Sequence, residues 1–219
     1  MSIAIPTYAP GAISSYTDFI GEIRDMMDDA DYSQVAIDRA LRKAEAEFNR
    51  SLRTTDMEAR AVFTVTDELT MLPADFLEMR FIFVEGMPDA PLASMSPAGM
   101  LSTYYGKAGT PSAYTIEGNN LRLGPVGTAA LEMVYYQRIA PISDAQVSNW
   151  LLRKHPDLYV AGVLFYLYGR ERDTDGESRA AQTVQTLMES IRQSAMSQRW
   201  GAAPLIPRGI SQVSNRVRI

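Results

Sequence analysis

From Leu158 to Tyr168 the chain is apolar at every position except Gly162. Pro156 and Asp157 precede this run and mark a helix start, with Pro in the first turn and an acid near the positive end of the helix dipole. A helix that is apolar on all sides must be covered by other elements on most of them. The run is shorter than the roughly 20 residues needed to cross a bilayer. Gly169 to Gly176 reads as a charged turn. Beyond it, Ala180, Val184, Leu187, Ile191 and Ala195 recur at helical spacing. Residues 149–199 are therefore predicted to form an antiparallel helical hairpin with a buried first arm and an amphipathic second. Leu158, Ala161, Leu164 and Phe165 are its expected core.

The N-terminal part supplies candidates to cover that hairpin. Met1 to Ser14, with Pro6, Pro10 and Gly11, reads as an extended arm. Ser15 to Asp29 reads as a helix, with Ser15 and Asp18 at capping-box spacing and Phe19, Ile23, Met26 and Met27 as its stripe. Ser33 is placed to cap a second helix carrying Ile37, Leu41, Ala44 and Phe48. Its remaining face, Arg39, Arg42, Lys43, Glu45, Glu47 and Arg50, reads as a solvated surface or a subunit contact.

After Thr55 the period changes. Ala61–Val65 alternates as a strand, Thr66-Asp67 turns, and Glu68–Leu72 returns as a second. Further strands are predicted at Met79–Glu85, Leu92–Met95 and Leu131–Ile139. A short helix should start at Ser96-Pro97. The turn Glu117-Gly118-Asn119-Asn120 should join Ala113–Ile116 to Leu121–Leu123 as a hairpin. Helices, then strands, then helices give an α+β fold. The expected organisation is an N-terminal arm and helix pair (1–55), an inserted antiparallel β-sheet region (56–145), and the C-terminal hairpin completing a helical bundle (146–200). An extended tail (201–219), without periodicity, follows.

Composition narrows the chemistry. The 219 residues include no Cys and one His, which removes thiolate metal sites and multi-histidine centres. A net charge of −5 argues against gripping nucleic acid by bulk electrostatics. The expectation is a soluble cytoplasmic chain with no signal peptide, no membrane span and no cofactor. His155 reads as the residue entering the Pro156 helix. Asp28, Asp29 and Asp31 lack the Gly and distal Glu of a calcium loop. Glu171, Asp173, Asp175 and Glu177 read as a solvated turn. Tyr104-Tyr105 and Tyr135-Tyr136 could stack on bases, but read better as core and rim residues. Neither Gly-rich stretch, Gly118-Asn119-Asn120 nor Gly124-Pro125-Val126-Gly127, has the Lys and helix of a phosphate loop. No catalytic constellation emerges.

An ordered set of short segments does point somewhere. It comprises Ala44-Glu45-Ala46-Glu47-Phe48-Asn49-Arg50-Ser51-Leu52-Arg53 with Met57-Glu58, then Leu72-Pro73-Ala74-Asp75-Phe76-Leu77-Glu78. Pro111, Tyr114-Thr115-Ile116 and Leu121-Arg122-Leu123-Gly124-Pro125 follow, then Tyr135-Tyr136, Trp150-Leu151-Leu152 and Pro156-Asp157-Leu158-Tyr159. In this order, over Tyr16 to Arg199, the chain resembles the head–tail adaptor (head completion, or connector) proteins of tailed bacteriophages and gene transfer agents.

That resemblance implies a structural virion protein in the neck, assembled in the host cytoplasm. It implies a twelve-fold ring of the chain itself beneath a portal protein, with a tail, stopper or nozzle protein below and double-stranded DNA passing through. On this reading the tail docks on the portal or a neighbouring subunit. Leu205, Ile206, Ile210, Val213 and Val217 would bury apolar surface there, and Arg208, Arg216 and Arg218 would meet acidic groups. The alternatives are another neck protein such as a stopper or terminator, a ligand- or peptide-binding module using a concavity between sheet and hairpin, and last an enzyme.

Overall fold

The computed structural model describes residues 13–200. The helices α1 (Tyr16–Met26) and α2 (Gln34–Ser51) come first, followed by β1 (Glu58–Val65), β2 (Leu69–Met71), β3 (Phe76–Val84) and β4 (Ala93–Ser94). Helix α3 (Pro97–Tyr104) precedes β5 (Ala113–Glu117), β6 (Asn120–Gly124) and β7 (Ala129–Gln137). The helices α4 (Trp150–Lys154), α5 (Pro156–Glu171) and α6 (Thr174–Trp200) complete the chain. The fold is α+β, as the pattern predicts. The extended tail, and most of the N-terminal arm, lie outside the described residues.

Local chemistry accounts for most element boundaries. The Asp18 N–H donates to the Ser15 hydroxyl at 3.2 Å, and the Ser15 N–H donates back to the Asp18 carboxylate at 3.1 Å, which is the predicted capping box. Ser33 does precede α2, but its hydroxyl makes no capping bond. Asn149 caps α4 by accepting from the Leu152 N–H at 2.8 Å, and His155 separates α4 from α5.

The charged turn is shorter than the sequence suggests. Helical geometry runs through Gly169 to Glu171 and resumes at Thr174. Arg172 takes the left-handed conformation at φ 62°, which ends a helix without glycine. Asp173 then accepts from the Gly176 N–H at 3.0 Å and so caps α6. The two glycines that looked like punctuation lie inside helices. The acidic side chains work locally too: Tyr32 donates to Glu171 at 2.7 Å and ties the α1–α2 turn to this end.

Helix α5 sits at the centre of the bundle, with α1, α2 and α6 around it. Leu158, Tyr159 and Val163 are fully buried. Tyr159 meets the edges of two rings, Phe48 at 5.4 Å and Phe19 at 6.1 Å between centroids. Phe165, expected in the core beside Leu158, Ala161 and Leu164, is only half-buried and leans on Tyr166. A helix apolar all round gives no periodic signal for which positions face a seam, and Phe165 falls in the seam between α2 and α6. Gly162 marks the closest approach of α2: a Cβ there would lie 2.7 Å from the Phe48 ring.

The β region is two sheets, ordered β1-β7-β3 and β2-β6-β5-β4. The expected return from β1 into β2 does not form a hairpin; the two strands belong to different sheets. Thr66-Asp67 lacks the positive-φ residues a two-residue hairpin turn needs, whereas Gly118, at φ +61°, provides one and does join β5 to β6. The region is also not wholly antiparallel, since β4 pairs parallel with β5. Inner faces of the two sheets share one core, with Val65, Ile82, Leu131 and Met133 from the first and Tyr114, Leu121 and Leu123 from the second. Strand β7 serves both cores. Because successive side chains alternate, Tyr135 enters the sheet core and Tyr136 enters the helical one.

Urea unfolding checks this packing. Phe48→Ala should cost about 3–5 kcal/mol, and Phe165→Ala should cost clearly less. Gly162→Ala should destabilise by about 1–3 kcal/mol, because the added methyl has no room beside Phe48. A Phe165 loss equal to that at Phe48 would contradict the assigned core.

Candidate interaction surfaces

The tightest polar cluster lies where the β region joins the helices. Glu45, expected on the solvated face of α2, is 4 % exposed. Its Oε1 accepts from the Ile142 N–H at 2.8 Å and Tyr159 Oη stands 3.5 Å away, while its Oε2 accepts from Arg42 at 2.8 Å. One turn along α2, Asn49 accepts from the Ile139 N–H at 2.7 Å and donates to the Glu45 carbonyl at 2.9 Å. Asn149 donates to the Ala140 carbonyl and to the Tyr159 hydroxyl, both at 2.6 Å. Side chains of α2 and α4's cap thus take the backbone groups of the segment leaving β7, which no ladder satisfies.

Burial pushes the Glu45 carboxyl above its usual range, against the Ile142 N–H and Arg42, which favour the ionised form. Burial first, and the Glu45 charge second, push the Tyr159 phenol up. Beside this cluster, Arg53 donates to Glu78 at 2.6 Å, and its guanidinium and that of Arg80 lie 5.9 and 5.5 Å from the Tyr136 ring. These contacts fasten β3 and β7 to the end of α2.

Charged side chains gather on two parts of the outer surface. Arg39, Lys43 and Arg170 line a groove of about 270 Å³ between α2 and α5, with Ala36, Ala40, Tyr166 and Leu167 and no acid. Asp25, Asp28, Asp29 and Asp31 stand exposed at the end of α1 and on the turn after it. Among the described residues, no group of three or more His, Cys, Asp or Glu could hold a metal. No described helix is long and apolar enough to cross a membrane.

Apolar side chains are exposed on the β region as well. Met71, 78 % exposed, lies with Leu69 on the edge strand β2, and Val62 and Phe81 sit on the outer face of the three-stranded sheet. Tyr135 is inside and donates to Asp75 at 3.0 Å, with its phenol pushed up to about 12 mainly by burial. Tyr105 is 83 % exposed, at the rim rather than in the core. The tail residues singled out by the sequence, Leu205, Ile206, Arg208, Ile210, Val213, Arg216, Val217 and Arg218, lie outside the described residues.

Comparison with known families bears on what these surfaces serve. Residues 14–208 match the model of the SU10 adaptor protein. The chain belongs to that family. It is therefore a structural phage adaptor, a virion component of a non-enzymatic family. The family match spans every described helix and strand and reaches Arg208, so it includes Leu205 and Ile206 but not Ile210 onward. No curated protein matches the chain.

In an adaptor the buried Glu45 cluster is a structural joint, and its titration is measurable. Below the unfolded value of about 4.3 the carboxyl is protonated in both states. As pH rises through the higher folded value, the folded chain gives up its proton last, so stability is lost over that window. Glu45→Gln cannot titrate. The stability of wild type relative to Glu45→Gln, from urea unfolding at a series of pH values, should fall as pH climbs from 4 to 7. A constant difference, or one that rises, would contradict the burial assigned to this carboxyl.

Proposed function

We propose that this chain is the head–tail adaptor of a phage neck, forming a ring of twelve copies between the portal above and a tail, stopper or nozzle protein below. Membership of the SU10 adaptor protein family over residues 14–208 is the observation that carries this reading. Two structural features suit it. A ring grows from heterologous contacts, in which one patch of a subunit meets a different patch of the next. The α2–α5 groove is basic and the end of α1 is mainly acidic, so the two carry complementary charge. The net charge of −5 also suits a channel through which double-stranded DNA slides without its phosphates being gripped.

In this reading residues 1–55 and 146–200 form one helical unit, and residues 56–145 are inserted into it as the β region. Residues 201–219 are the docking tail. Leu205, Ile206, Ile210, Val213 and Val217 supply apolar contacts to the portal or a neighbouring subunit, and Arg208, Arg216 and Arg218 meet acidic groups. Segments that order on binding can wrap large surfaces in this way.

Symmetry analysis of particle images should show twelve copies in the layer this chain occupies. Another ring order would overturn the twelve-fold geometry. Deleting Pro204 to Ile219 should abolish attachment of the ring to portal-bearing capsids, and unchanged attachment would remove the docking role from the tail.

A further inference from the structure

Two sets of unpaired charges, of opposite sign, stand at different ends of the helical bundle. The positive set lines a cavity of about 620 Å³ where the segment leaving β7 meets α4. Arg138 and Arg153 are both exposed there, and neither guanidinium has a partner among the described residues. The one acid in the lining, Asp75, already accepts from the Tyr135 hydroxyl at 3.0 Å. Ser148 Oγ, at the same wall, is buried with no hydrogen-bond partner among the described residues, so it keeps a donor for an incoming oxygen.

The negative set is the end of α1 and the turn after it. Asp29 accepts from the Asp31 N–H at 3.0 Å, while the carboxylates of Asp25, Asp28 and Asp31 are exposed and have no partner among the described residues. Arg24, the one cation lining this surface, donates to the Tyr32 carbonyl at 3.4 Å. Carboxylates set this close together repel one another, and opposite charge brought from outside relieves that.

The fold keeps the two sets apart. The Tyr16 N–H donates to the Val147 carbonyl at 2.7 Å, and Asn149, in the cavity wall, bonds Tyr159, so the starts of α1 and α5 adjoin the cavity. Tyr32 bonds Glu171, which puts the acidic turn at the far end of α5. That helix has 16 residues and is about 24 Å long. One chain cannot close its own pair across this length.

We propose that the acidic turn of one copy docks in the Arg138/Arg153 cavity of the next. The proposal rests on the ring reading above and names its contact. Guanidinium groups bind carboxylates through paired hydrogen bonds. Each copy gives one turn and receives one, as a heterologous contact in a closed ring requires. The α2–α5 groove is also basic, but its cations are engaged: Lys43 lies 5.5 Å from the Tyr166 ring centroid and Arg170 pairs with Glu171 at 3.7 Å.

Charge reversal tests this with the full-length chain on portal-bearing capsids, after urea unfolding has shown that each variant folds like wild type. Arg138→Glu/Arg153→Glu and Asp28→Arg/Asp29→Arg should each lower the number of copies attached per capsid about tenfold or more, because like charges then face each other. A chain carrying all four substitutions should recover near wild-type attachment. Reversals without effect, or no recovery in the combined chain, would overturn the docking while wild-type rings leave the ring reading standing. Rescue of Asp28→Arg/Asp29→Arg by Arg39→Glu/Lys43→Glu instead would assign the turn to the α2–α5 groove and also overturn it. A wild-type chain that forms no ring would overturn both readings.

Discussion

A carboxylate taken out of water has to be matched, and the way Glu45 is matched fixes how the two halves of this adaptor meet. Burying a charged group alone costs several kcal/mol. Here the Ile142 N–H, Arg42 and the Tyr159 hydroxyl surround it, and Asn49 and Asn149 take up neighbouring backbone and phenol groups. These partners come from α2, α4's cap, α5 and the segment after β7. The cluster therefore forms only when the helices have assembled and the β region has delivered its last strand to the right place. Such a network contributes uniqueness of arrangement more than net stability.

Strand β7 shows the same joint from the other side. Its alternation sends Tyr135 into the sheet core and Tyr136 into the helical core, so one strand belongs to both. Arg53 and Arg80 then hold Tyr136 from α2's end and from β3. For the proposed ring, a stiff joint has a use: contacts made by the helical unit would fix where the exposed apolar positions of the β region, Met71 and Phe81 among them, are presented.

Much of this was legible in the residues. The capping pair Ser15/Asp18, the α2 stripe, the Pro156 start and the Gly118 hairpin all rest on short-range chemistry, and the structure follows them; the α1 stripe holds at Phe19 and Ile23 but not at Met26, which is exposed. The misreadings share a cause, which is that tertiary position is not periodic. Glu45 looks solvated because Arg42, three residues before it, completes an ordinary surface pair. The signal against that reading was Asn49, one turn on, a second polar residue flanking Phe48 on the same side of the helix. Gly169 and Gly176 looked like breaks, while Arg172 and Asp173 did the terminating and capping. Phe165 could not be separated from Leu164 because every side of α5 is apolar. The interaction surfaces were less legible still. The acidic and basic patches were visible as charged residues, but which of them share a groove needed the bundle, and the tail residues lie beyond what the structure describes. The adaptor family was legible from the ordered segments and agrees with the family match.

Native-state hydrogen exchange of the Ile139 and Ile142 amides tests the joint most directly. Both belong to an irregular connection, and an ordinary loop amide exchanges through local motion. With Asn49 and Glu45 as their buried acceptors, both should instead exchange only on global unfolding, with protection equal to that of the Val163 and Leu164 amides in α5. Exchange as fast as that of the exposed Asp144 or Ala145 amides would show that the connection opens independently, and would contradict the joint on which this account rests.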